Sequence, residues 1–161
     1  MVYKMIDKII IKPFVGIEGL SLGTTKSEVV DILGVPDESS VREFKDESFD
    51  ENWEYFELGL ELTFSSDDNW LLGTIGVTSE LAELAGHHII GLNENKLLET
   101  LEQIGIMPTV LEDDLTDLGS RDYACDKYGL SFWVQNGIVT SIAIFPDHGE
   151  SGDIPLWPNR E

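Results

Sequence analysis

The sequence predicts an α+β fold in which two tandem repeats of a helix plus an antiparallel β-sheet pack into one body. Three observations carry that expectation. First, one order of signals occurs near 20–79 and again near 90–145: a capped helix closing on glycine, a helix-stopping proline, an acidic stretch and then apolar strands. Second, the landmarks keep a near-constant spacing. Gly34 and Gly105 stand 71 positions apart, Leu58-Gly59-Leu60 and Tyr128-Gly129-Leu130 70, and Ile75-Gly76-Val77 and Ile142-Ala143-Ile144 67. Third, apolar and polar residues alternate with period two late in each unit, the mark of strands with one buried and one wet face. The boundaries implied are a single domain over 1–161, internal repeats at about 14–79 and 86–145, and an irregular C-terminal tail over 146–161.

Taken in order, Ile9-Ile10-Ile11 running into Pro13 reads as a first strand or sheet edge. Thr25-Lys26-Ser27-Glu28 is a capping-box pattern, in which hydroxyl and carboxylate satisfy reciprocal orphan amides. Val29, Val30, Ile32 and Leu33 then give an apolar helix face, Gly34 a left-handed close and Pro36 a stop. The second helix follows the same grammar: Asn93 as cap, Glu94 in the first turn, Leu97, Leu98, Leu101 and Ile104 at helical spacing, Gly105 as stop and Pro108 beyond. Ser79–Gly86 reads as a short helix between the units. Leu58, Leu60, Leu62 and Phe64 alternate with polar residues, as do Leu130, Phe132 and Val134, and Asn136-Gly137 signals a tight hairpin turn into 138–144. Trp157 is expected to dock the tail on the body.

Composition bounds the function. A chain of 161 residues suits one domain able to bury about two-thirds of its unfolded surface, so neither metal nor disulfide is required for stability. Cys125 is the single cysteine, which excludes an intrachain bridge and a cysteine zinc site and fits a reducing cytosol. The first eight residues are broken by charge before a signal-peptide core forms, and nothing approaches the roughly 20 apolar residues of a membrane span. The expected location is therefore cytoplasmic. Against 31 Asp and Glu stand 10 Lys and Arg, a formal net charge of −21, where solubility of a small domain asks for a magnitude of about 2–8. Such an excess argues against nucleic acid or an anionic membrane as partner and accelerates encounter with a cationic one. Fifteen of the 31 acids lie in two segments, 37–57 and 109–126, opposed there only by Arg42, Lys45 and Arg121.

Catalytic motifs fail on context. Gly19-Leu20-Ser21-Leu22-Gly23 matches the nucleophile-elbow pattern, yet the helix cap comes only at Thr25 and the chain is short for that fold, so the segment reads as an approach loop. His87-His88 point to opposite faces of a strand without a third ligand at metal spacing. Cys125 sits beside Asp126, whose charge lowers thiol reactivity. Asp67-Asp68-Asn69 and the stretch 46–52 resemble calcium-loop fragments but lack the alternate-position ligands closed by glutamate. The expectation is a non-enzyme with no catalytic residue, cofactor or metal; the enzyme alternative is a cryptic hydrolase using Ser21, His87 or His148.

Aromatics interleave with the acids: Phe44, Phe49, Trp53, Tyr55 and Phe56 in the first segment, Tyr123 and Tyr128 beside the second. Interfaces draw energy from a few aromatic anchors while rim charges set rate and selectivity. The candidate partner-binding residues are therefore Asp46, Glu47, Asp50, Glu51, Asp113, Asp114 and Asp117 for steering and salt bridges, with Trp53 and Tyr55 as anchors.

The segment Gly23-Thr24-Thr25 through Glu28-Val29 to Leu33-Gly34-Val35-Pro36 resembles the signature helix of the small outer-membrane lipoprotein A family and of the β-lactamase inhibitory proteins. That resemblance implies a helical piece followed by antiparallel sheet, duplicated in the inhibitors so that two sheets make a concave protein-binding face. The lipobox cysteine and signal peptide of the lipoproteins are not matched, so neither the outer-membrane role nor that of a secreted inhibitor carries over. In character the chain is similar to bacterial immunity proteins of contact-dependent or polymorphic toxin systems, whose toxins are often nucleases with basic clefts. The expected function is an acidic protein-binding inhibitor covering the cleft of a cationic, nuclease-type toxin. The alternative is a non-catalytic assembly scaffold or adaptor.

Overall fold

The computed structural model describes residues 8–107, 110–115, 119–149 and 155–158, with backbone alone for 110–115. It overturns the expected α+β architecture of helix-plus-sheet repeats. The fold is mostly β, and only two α-helices are found among the described residues, α1 (Lys26–Leu33) and α2 (Glu94–Ile104). Caps mark where a helix starts and stops, not how much of the chain is helical, and here the two well-marked helices are short.

The strands form two sheets. The smaller contains β1 (Ile9–Lys12), β2 (Gly16–Ile17), β3 (Leu20–Ser21), β8 (Ala82–Leu84) and β9 (His87–His88) in the order β3-β2-β1-β8-β9, with β1 and β8 parallel. The larger contains β4 (Glu38–Glu43), β5 (Phe49–Tyr55), β6 (Leu60–Ser65), β7 (Leu72–Val77), β10 (Val110–Leu115), β11 (Ser120–Cys125), β12 (Leu130–Gln135) and β13 (Ile138–Ile144). Its order is β10-β11-β12-β13-β7-β6-β5-β4, antiparallel throughout. The pairing of β7 with β13, set by Ile75↔Ile144 and Val77↔Ile142, merges the strands of both expected units into one sheet.

A further expectation is corrected. Ser79–Gly86 is not a helix: β8 turns into β9 through Ala85 and Gly86, both with positive φ, the signature of a tight hairpin turn. The acidic stretch 37–57 folds as the β4–β5 hairpin, with most of its charges, Glu51 apart, on wet positions. Both helix starts form as expected. The Thr25 hydroxyl accepts from the Glu28 amide while the Glu28 carboxylate accepts from the Thr25 amide, and the Asn93 side chain accepts from the Lys96 amide. Gly105 closes α2 in the left-handed conformation, whereas Gly34 closes α1 at positive φ but outside that region. The Asn136-Gly137 turn joins β12 to β13.

One core lies between the two sheets. Leu60, Leu62, Phe64, Ile75, Val77, Phe132, Ile142 and Ile144 on the inner face of the large sheet meet Val29 and Leu33 of α1, Leu97 and Leu101 of α2, and Ile9, Ile11, Ile17 and Leu84 of the small sheet. Trp157 packs against this body over Gly23, whose missing side chain leaves it room.

Candidate functional site

Helices and small sheet all pack on one face of the large sheet, so its other face carries no second layer among the described residues. Register places one row of residues across it: Glu38↔Glu54, Glu54↔Glu61, Glu61↔Gly76, Gly76↔Ala143, Ala143↔Ser131 and Ser131↔Ala124. From Glu38 to Ser131 every member is exposed or half-exposed. A second row brings Asn52 opposite Thr63 and Thr63 opposite Thr74. On the far side Asp122 pairs with Trp133 and Trp133 with Ser141. The face is thus acidic at one end, small and polar in the middle, and carries the half-buried Trp133 beyond.

Acids outnumber bases on this face: Glu38, Asp50, Glu54, Glu61 and Asp122 stand there with Arg42. Burial and the facing Glu54 charge push the Glu61 carboxyl above the ordinary carboxylate range. Asp50 lies on the same face opposite Ser65, and Arg42 is its edge-strand neighbour. Asp68, on the 3-10 turn after β6, is also pushed up, first by burial and then by Asp67 and Asp50, although nearby His148 pulls it down. Carboxylates so placed accept hydrogen bonds from guanidinium and ammonium groups. Among the described residues no group of three His, Cys, Asp or Glu is placed to hold a metal ion. Nor is any helix there long and apolar enough to cross a membrane.

The candidate residues read from the sequence divide. Asp46 and Glu47 form the β4–β5 turn, where the Ser48 hydroxyl and amide both donate to Asp46 and lower its pKa. Asp50 reaches the open face. Glu51 does not: it lies on the inner side and takes hydrogen bonds from Lys26 Nζ at 2.8 Å and Trp53 Nε1 at 2.6 Å. Burial pushes its carboxyl up, but these two donors outweigh it and hold the group low. Trp53 and Tyr55 are not surface anchors, since only 7% and 5% of each is exposed. Trp53 packs on Phe64 and the Tyr55 hydroxyl donates to the Gly34 carbonyl. Register decides this, because both stand opposite inward-facing Leu62 and Leu60. Asp113 and Asp114 stand on β10, but their side chains, and Asp117 altogether, lie outside the described residues.

Glu38, Glu54, Glu61, Asp122 and Trp133 are site residues that the sequence reading missed. The signal was available: counting by twos from Leu60-Leu62-Phe64 and from Leu130-Phe132-Val134 puts Glu61 and Trp133 on the opposite face. The chain matches no protein-family model, no curated protein and no solved structure with which it was compared.

Proposed function

We propose that this chain is an acidic protein-binding inhibitor, an immunity protein that neutralises a cationic, nuclease-type toxin by covering its active cleft. One observation carries the reading: a face of the eight-stranded sheet that no other element among the described residues covers, with Glu38, Glu54 and Glu61 adjacent in a single row. Like charges directly opposite on neighbouring strands are destabilising, so retaining them on the one unlayered face favours a ligand of opposite sign. A nuclease cleft is basic because it holds phosphates, and a sheet presents its carboxylates with little ordering cost on binding. The net charge of −21 adds long-range steering, and the reading places the chain in the cytoplasm, where such a toxin acts.

The test is co-expression with the product of the reading frame immediately upstream. That product alone should arrest growth, this chain should restore it, and association of the purified pair should slow steeply with salt, since exposed charges are screened beyond about 8 Å at physiological ionic strength. No protection, or a salt-insensitive on-rate, overturns the reading.

A scaffold or adaptor role has one observation of its own: an apolar groove of about 630 Å³ lined by Ile10, Ile11, Leu84, Ile104, Ile106 and Tyr128. A scaffold partner held there should stay bound when Asp50, Glu54 and Glu61 are neutralised together.

A further inference from the structure

We propose that the free edge of β4 is a strand-addition site, which an extended, cationic segment of the protein partner joins as a ninth strand of the large sheet. The proposal rests on the preceding reading only in taking that partner to be a basic protein. β4 ends the sheet order and is paired on one side alone, in unbroken register from Glu38↔Glu54 to Glu43↔Phe49. Every second residue of such a strand turns its amide and carbonyl outward, a ready template for another chain.

The other edges of the two sheets are short or broken in register, and this one is neither. β3 and β9 are two residues long, too short to template a partner. The opposite border of the large sheet, β10, breaks register between Glu112 and Leu115, the kind of irregularity that blunts an edge. β4 has six residues, no bulge, no proline and no lysine, and all six side chains are exposed, including 62% of Val41 at its centre.

Charge selects the occupant. Asp37, Glu38 and Glu43 lie at the ends of the strand and Asp50 and Glu54 stand on its neighbour, against Lys45 and Arg42, whose guanidinium rests over the Phe44 ring at 4.8 Å. A second copy is the wrong occupant, because two chains each at −21 repel one another. A lysine- or arginine-rich strand meets opposite charge instead. Where β4 ends, an open cavity of about 800 Å³ has four acids in its lining, Glu43, Asp46, Asp50 and Asp67, against Arg42 and Lys45, a net negative mouth beside the edge.

The experiment titrates the intact protein with a heptapeptide of alternating lysine and valine, followed by amide shifts and hydrogen exchange. A second peptide, N-methylated at every residue, cannot donate to a strand from either edge. Strand addition requires that the β4 amides be protected on binding and that methylation weaken binding roughly tenfold or more, the loss of two or three backbone hydrogen bonds. Shifts confined to Glu54, Glu61 and Trp133, with β4 exchange unchanged and methylation without effect, overturn strand addition while leaving the open-face reading standing. No binding by either peptide overturns it as well, without touching the co-expression result. β4 amides protected without peptide, in proportion to protein concentration, assign the edge to a second copy and also overturn the proposal.

Discussion

Glu54 and Glu61 stand directly opposite each other on β5 and β6, and their carboxyl groups share a hydrogen bond. Burial and the neighbouring charge raise the Glu61 pKa, so ionising this carboxyl costs more in the folded chain than in the unfolded one. A raised carboxyl weakens the fold as pH climbs through the carboxylate range. Glu61→Gln is therefore expected to stabilise the protein by about 0.5 kcal/mol at pH 7, the scale of a cross-strand like-charge pair. The gain should shrink below the ordinary glutamate value of 4.5. Urea midpoints at the two pH values measure it, and a destabilised variant at pH 7 would contradict it.

Lys26 is the opposite case. Its ammonium reaches Glu51 at 2.8 Å and lies 4.1 Å from the centre of the Trp70 ring. Lys26→Gln is expected to cost about 1–2 kcal/mol, less than a fully buried pair because both partners are partly exposed. Because the Glu51 pKa is lowered, its contribution is present above the ordinary value and is lost as acid protonates the folded state. Glu51→Gln should accordingly flatten the acid limb of the stability profile, which fluorescence-monitored acid titration will show.

At high pH two buried groups act together. Burial first, and then Asp37, raise the Tyr55 hydroxyl to about 12; burial first, and then Asp126 and Asp122, raise the Cys125 thiol to about 12. The unfolded chain ionises near the ordinary values of 10.0 and 9.0, so stability falls as pH rises through this window. Tyr55→Phe should remove the tyrosine share of that slope while costing about 1 kcal/mol at neutral pH through the lost bond to Gly34. Cys125 should resist alkylation at pH 8 until denaturant is added.

Trp133 separates binding from stability. It is half-buried on the open face between Asp122 and Ser141, outside the core cluster. Trp133→Ala should cost under about 1 kcal/mol in stability yet weaken a protein partner by more than roughly tenfold, as loss of an aromatic hot spot does. Calorimetric binding and thermal melts of the same variant distinguish the two. Unchanged affinity would remove this end of the face from the interface.

What the sequence made legible was local. Thr25 with Glu28, Asn93, Gly105 and Asn136-Gly137 each encode their geometry within a few residues, and the alternations at 60–64 and 130–134 fix which side chains point inward. β4 left no signal, because a strand wet on both faces has no apolar period to read. The β7–β13 joint is a pairing of distant segments, which no spacing within either one contains. Trp53 and Tyr55 were misplaced for a related reason. Surrounded by acids in the chain they look like surface anchors, and only their register against Leu62 and Leu60 shows them buried. The ion pairs also depend on tertiary placement: Lys26 on α1 meets Glu51 on β5, while Glu94 on α2 meets Arg121 on β11 with the signs exchanged.

Only three register pairs join β7 to β13, against six between β5 and β6 and six between β11 and β12. That narrow seam makes one plate of what would otherwise be two paddles. Seven inter-strand steps of about 4.8 Å set its borders about 34 Å apart along the sheet. The molecule is therefore one continuous plate, and that width is the span between its two borders, β4 and β10.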